Sequence, residues 1–167
     1  LGREEWNKCA IFHSDDDSNE IADPFTCYDF LHALEKSGSV GEGTGWIPYH
    51  LAAFNNNKFV GAVPLYLKSN SQGEYIFDHN WAHAFERAGG RYYPKLQISV
   101  PFTPVTGRRL LISKNAPNNT ASLLLQSAIG LCKQNNLSSL HTTFCSRKEF
   151  ERGQELGMLG RVSQHFH

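Results

Sequence analysis

Between Gly73 and Leu96 the chain gathers residue types that move protons: Glu74, Asp78, His79, Tyr92 and Tyr93. A carboxylate next to an imidazole can orient it and raise its basicity, and phenols can donate to a leaving group. These five are the candidate catalytic residues, although the same mixture also occurs in ordinary surface turns. His79 and His83 stand at i and i+4, the spacing that puts two metal ligands on one helix face. No Glu adjoins His79 on its C-terminal side and the sequence places no third ligand, so no metal site is assigned. His165 and His167, at alternate positions near the chain end, are no better supplied. Cys145 and His141 could suggest a thiol nucleophile and its base. On a strand they would share a face but lie ~13 Å apart, out of hydrogen-bond reach.

A second chemistry is anion binding. Residues 84–114 carry six bases against one acid, whereas residues 1–40 carry nine acids against three bases, within a chain of zero net charge. A basic middle can face a phosphate group, or can be a solvated surface balanced elsewhere in the fold. Asn118, Asn119 and Thr120 open a strong helical pattern, where unbonded N–H groups and the helix dipole could hold a pyrophosphate. Arg108 and Arg109 are near enough in sequence to help. The run Gly41-Glu42-Gly43-Thr44-Gly45 looks like a phosphate loop. It follows a helix and precedes a strand, the reverse of the required order, and reads as a linker.

The elements that must position these groups follow from periodicity and punctuation. Asp23-Pro24 opens a helix with Asp as N-cap; Phe25, Tyr28, Leu31 and Leu34 form its apolar stripe and Gly38 ends it. His50–Phe54 and Lys58–Leu67 read as arms of a hairpin around Asn55-Asn56-Asn57, since Asn tolerates left-handed dihedrals. Pro64 inside the second arm implies a bulge or an edge. Strands are expected at Glu74–Asp78, Lys95–Val100, Arg109–Ile112, Ser138–Phe144 and from Val162 onward. Helices are expected at Asn80–Ala88, about Asn118–Asn135 and Arg147–Leu156. Strands alternating with helices, plus a hairpin, predict an α/β fold with a partly antiparallel sheet.

Apolar residues make up 40% and aromatic residues 12% of the 167, enough to fill one core and too much for a disordered chain. Cys9, Cys27, Cys132 and Cys145 are scattered without a C-x-x-C pair. That argues against a disulfide framework or a zinc ribbon and suits a reducing, cytoplasmic compartment. No run is long and apolar enough to span a bilayer, and no secretory leader is seen. The chain begins at Leu1 and stops at His167 inside an alternating stretch. It therefore reads as a piece of a longer protein, an acidic segment 1–23 followed by a domain 24–167, whose first partner would be the missing C-terminal half.

Longer motifs carry a resemblance. Ser37-Gly38-Ser39-Val40 with Gly45-Trp46, Gly61-Ala62-Val63-Pro64-Leu65-Tyr66-Leu67-Lys68-Ser69, the stretch from Gly73 to His79, the stretch from Glu86 to Gln97, and Val100 to Gly107 resemble the FemAB-like, GNAT-related N-acyltransferase family of peptidoglycan biosynthesis or recognition. The match runs through most of residues 24–167. It implies an acyl-CoA N-acyltransferase (GNAT)-like fold, a mixed twisted sheet flanked by helices. It implies transfer of an acyl or aminoacyl group from acyl-CoA or aminoacyl-tRNA, as co-substrate and not as a tightly bound cofactor, to a small-molecule or peptidyl amine. The donor would lie across a splayed sheet edge, its pyrophosphate near Asn118, Asn119 and Thr120 with Arg108 or Arg109. A base from Glu74 to His79 would deprotonate the amine, and Tyr92 or Tyr93 would protonate the leaving thiolate or ribose hydroxyl. His83 departs from the family pattern, where that position is usually acidic. The alternative is a non-catalytic binding module of the same fold that recognises a cell-wall peptide or a protein partner, anchored by Trp81, Tyr92 and Tyr93. Because the family pattern continues past His167, the chain alone is expected to fold in part, to expose an apolar edge and to be inactive.

Overall fold

Alternating apolar residues drive the strand runs inward, and the computed structural model, which describes residues 1–10, 23–76 and 78–162, divides them between two sheets. Helices α1 (Arg3–Ala10) and α2 (Tyr28–Lys36) lead into β1 (Trp46–Pro48), β2 (Leu51–Asn55), β3 (Lys58–Val63) and β4 (Leu65–Lys68). Then come α3 (His79–Arg87), β5 (Lys95–Ile98), β6 (Leu111–Ile112), α4 (Thr120–Gln134), β7 (Leu140–Thr142) and α5 (Arg147–Glu155). One sheet has the order β1-β4-β5-β7 and the other β2-β3-β6. Every neighbouring pair is antiparallel except β5 with β7, which are parallel. The mixed α/β architecture expected from the sequence is what forms.

Pro64 marks the division. β3 and β4 are one extended run, and a residue that cannot donate to a ladder stands where the run leaves the three-stranded sheet for the four-stranded one. Its carbonyl still accepts from Ser99 N at 3.2 Å. The bulge lies elsewhere, at Ala53/Phe54. The hairpin turns at Asn56 and Asn57, whose φ values of 48° and 61° are the left-handed conformations that Asn accepts readily.

Three local expectations need correction. The helix foreseen from Pro24 begins at Tyr28, with Cys27 at its N-cap. Asp23 closes a turn ahead of it: its carboxylate accepts from Phe25 N at 3.0 Å and its carbonyl from Thr26 N at 3.3 Å. Glu74, Tyr75, Ile76 and Asp78 lie in bends and irregular backbone, not in a strand, because Glu74 and Asp78 both turn inward toward buried lysines. And α1, which the sequence reading did not anticipate, buries Trp6, Cys9 and Ala10 and ties Trp6 Nε1 to Thr26 O at 2.8 Å. The strand expected beyond Val162 lies outside the described residues.

The two faces of the four-stranded sheet differ. The register pairs Leu65 with Ile98, Leu67 with Leu96, and Leu96 with Leu140, so these side chains share one face. They pack against Leu124, Leu125, Ala128 and Cys132 of α4; burial of each leucine contributes about 1.5–3 kcal/mol. The intervening residues Tyr66, Lys68, Lys95, Gln97 and His141 therefore stand on the other face. Among the described residues, no helix is long and apolar enough to cross a membrane.

Candidate functional site

The second face is polar, and most of its groups are buried. Trp46 stands opposite Lys68 and Lys68 opposite Lys95; one row on, Tyr66 faces Gln97 and Gln97 faces His141. Lys68 and Lys95 are completely buried, and buried ammonium groups need counter-charge and hydrogen bonds. Both come from the segment after β4. Lys95 Nζ donates to Asp78 Oδ2 at 2.6 Å and to Glu74 Oε2 at 3.1 Å. Lys68 Nζ donates to Gln72 O at 3.0 Å, lies 3.9 Å from Glu74 Oε1, and sits 3.5 Å from the centroid of the Trp46 ring. With its amide nitrogen turned to Glu74, the orientation that satisfies both groups, Gln97 donates to the two carboxylate oxygens at 3.1 and 3.2 Å.

Asp78 is the anchor of the cluster. Besides Lys95 it accepts from Ser71 Oγ at 2.7 Å and from Tyr92 OH at 2.8 Å, with Tyr93 OH at 3.5 Å. Ser71 Oγ and Tyr93 OH are also bonded to each other. Burial pushes the Asp78 carboxyl up, but Lys95, Ser71 and Tyr92 outweigh it and hold its pKa at about 2. Glu74 shows the opposite balance: burial raises its pKa, and Lys95 only partly offsets it. Burial brings Lys68 down to about 7 against the pull of Glu74. Burial, together with Asp78, raises both tyrosines, so the phenols keep their protons. His141 is pushed down to about 4, by burial first and Lys95 second, and its Nε2 lies 3.0 Å from Ser139 Oγ. It is a neutral imidazole at pH 7.

A narrow cleft reaches this face between Trp46, Glu74, Gln97, Ser99, Thr103 and Thr143. Gly73 makes the approach possible. Its φ is +73°, and a Cβ there would run into the Phe102 ring and come within 2.9 Å of Trp46 Nε1. Any larger residue would displace the backbone that delivers Glu74.

The structure thus brings Glu74, Asp78, Tyr92 and Tyr93 together. His79 is exposed in the first turn of α3 and His83 is exposed one turn later. No group of three or more His, Cys, Asp and Glu that could hold a metal converges among the described residues, and His165 and His167 lie outside them. Cys145 falls beyond the end of β7, so the strand spacing assumed between it and His141 does not apply.

The anion-binding candidates go elsewhere. Asn119 is the N-cap of α4, without a side-chain cap, and Thr120 is buried behind it; α4 packs on the apolar face of the sheet, across from Glu74 and Asp78. Arg108 Nη2 donates to Cys9 O at 3.3 Å and Ala10 O at 2.8 Å, closing the C-terminus of α1. Arg109 is 1% exposed. It ties the segment ahead of β6 to the residue after β7, donating from Nε to Thr143 O at 3.1 Å and from Nη2 to Val105 O at 2.6 Å. Glu149 Oε1 holds the same segment by accepting from Arg109 N at 2.7 Å and Leu110 N at 2.6 Å. Both guanidinium groups are committed to the protein's own carbonyls.

Lys68, Lys95, Gln97, His141 and Trp46 are the residues of this face that the sequence reading did not assign to the site. The signal was present. Tyr66 and Lys68 alternate with Leu65 and Leu67, and Lys95 and Gln97 with Leu96 and Ile98, which gives two buried strands each with a polar side.

In the mixed four-stranded sheet β5 and β7 form a parallel pair, with β6 and α4 between them in the chain. The ribosomal-protein-alanine N-acetyltransferase from Brucella melitensis biovar Abortus 2308 is similar over 100% of this chain and 94% of its own, with a TM-score of 0.52 and 11% identity. The likeness at that identity is one of fold. The chain belongs to the FemAB-like family, described as peptidoglycan biosynthesis/recognition, whose family model matches residues 1–167. No curated protein sequence matches it.

Proposed function

We propose that the protein is an N-acyltransferase that moves an acyl or aminoacyl group from acyl-CoA or aminoacyl-tRNA to an amine, and that the polar face of the four-stranded sheet handles the acceptor. Family membership and fold support the reaction class. The observation that carries the site is Glu74: a carboxylate with a raised pKa, oriented by Lys95 and Gln97, lining a cleft that reaches this face. A carboxylate made more basic than usual is better able to take a proton from an ammonium acceptor before it attacks. In this reading the amine nitrogen bonds to the donor carbonyl carbon, its proton passes to Glu74, and the thiolate or ribose oxygen departs. Asp78 is too acidic to take that proton and holds the tyrosines and Lys95 in place. Tyr93, whose link to Asp78 is the longer, is the better placed of the two phenols to protonate the leaving group.

Calorimetric titration of the full-length protein with acetyl-CoA, longer acyl-CoAs and aminoacyl-tRNA tests the donor. Heat from at least one is expected; heat from none removes the assignment. One observation favours a second reading, a non-catalytic binding module: the guanidinium groups of Arg108 and Arg109, expected to meet the donor's pyrophosphate, are bonded to the protein's own carbonyls. Under that reading Glu74→Gln leaves ligand affinity intact and there is no turnover to lose.

A further inference from the structure

Arg161 differs from the other cations near this face. Lys68 and Lys95 are buried against two carboxylates of equal total charge, so the interior cluster is neutral. Arg161 is exposed, and among the described residues it has no ion pair and no hydrogen bond. What holds it is Trp81, whose ring centroid lies 4.1 Å from the guanidinium carbon. A guanidinium held over a ring is shielded on that side, while its N–H groups, which lie in its own plane, can still donate to an oxyanion. Trp81 is 57% exposed, so the stacked pair stands at the surface and is not sealed inside.

The position connects it to the site. Trp81 belongs to α3, which begins directly after Asp78, and Phe85 on the same helix meets the Tyr92 ring with centroids 6.2 Å apart. Tyr92 in turn meets His141 at 6.2 Å. Arg161 is close enough to His141 to disfavour its protonation. His141 is the register partner of Gln97, one strand spacing of ~4.8 Å away, and Gln97 holds Glu74. Contacts thus run from the exposed Arg161 to Trp81, and from Phe85 on the same helix through Tyr92 to the buried Asp78. His141, in ring contact with Tyr92, is a neutral imidazole and adds no further positive charge, and Lys95 is buried and already paired. The acid nearest His141, Asp78, is already engaged by Lys95 and Tyr92.

We propose that Arg161 stacked on Trp81 is a recognition shelf for an oxyanion carried by the acceptor, so that the preferred substrate is an amine that also bears a carboxylate or phosphate group. This rests on the acyltransferase reading for the amine's role, but the recognition itself can be measured without turnover. Glycylglycine, glycylglycinamide and O-phosphoethanolamine are titrated separately into the full-length protein and followed by isothermal titration calorimetry, a readout that does not depend on the Trp81 ring. Glycylglycine is expected to bind about five-fold tighter than its amide, the scale of one ordered ion pair at a surface. Arg161→Gln should abolish the difference and Trp81→Leu should reduce it. Comparison with O-phosphoethanolamine identifies which oxyanion is preferred. Equal binding of acid and amide, a preference that survives Arg161→Gln, or no binding of any probe overturns the proposal. If no acyl donor binds but the acid–amide difference stands, the donor reading fails and the shelf survives.

Discussion

Lys95 Nζ lies 2.6 Å from Asp78 Oδ2, with the lysine side chain fully buried and the aspartate side chain 10% exposed. The pair joins the first residue of β5 to the N-cap of α3, and so ties the segment between them onto the polar face of the sheet.

Replacing Asp78 by Asn should therefore cost about 3–5 kcal/mol, the scale of breaking a buried ion pair from one side. Urea unfolding measures it; a change below 1 kcal/mol would mean that the pair does not organise the segment. The pH dependence has a defined sign. The folded pKa of Asp78, about 2, lies below its ordinary 3.8. Its contribution is then present above about pH 4 and lost as pH falls through about 2, on the order of 2 kcal/mol in all. The Asn variant should lack that acid-side slope.

Gly73→Ala should destabilise the protein by about 1–3 kcal/mol, because φ is +73° and the added methyl meets Phe102 and Trp46. It should also lower turnover more than Tm alone explains, since the strained backbone carries Glu74. Thermal unfolding and kcat/KM on the same variant separate the two effects.

Glu149 serves two elements at once. Its Oε1 accepts from Arg109 N and Leu110 N, while its Oε2 accepts from Ser146 N and Ser146 Oγ, each at 2.9 Å. Glu149→Ala removes a capping box and leaves two buried N–H groups unpaired, a loss of about 3 kcal/mol. Glu149→Gln, which retains one oxygen, should lose less. Equal denaturant midpoints for the two variants would contradict this account.

Much of this architecture is legible in the residues. The Asn run specifies its turn because Asn tolerates φ near +50°, and α4 follows from apolar spacing that needs no tertiary information. Glu74, Asp78, Tyr92 and Tyr93 are visible as a cluster because they are near in sequence. Lys68 and Lys95 are 27 positions apart and meet only through the β4–β5 register, so their role depends on a pairing that local pattern does not contain. Arg109 is the harder case. It adjoins another arginine in a basic region, and nothing local says that its guanidinium turns inward to Thr143 O while Arg108 reaches back to α1. Helix α1 is short and its outer side is charged with both signs, Arg3, Glu4, Glu5 and Lys8, so only Trp6, Cys9 and Ala10 mark the buried side.

The central claim is that Glu74 is the base that prepares the acceptor amine. The most direct measurement is kcat/KM for acyl transfer by the full-length protein, wild type against Glu74→Gln, over a range of pH with Tm recorded alongside. A base must be deprotonated to act, so the wild-type rate should rise with pH through the raised pKa of Glu74. Glu74→Gln should lower kcat/KM about 100-fold or more and flatten that limb at a temperature where the variant, itself destabilised by losing the counter-charge of Lys95, is still fully folded. An unchanged rate with the same pH profile would contradict the assignment.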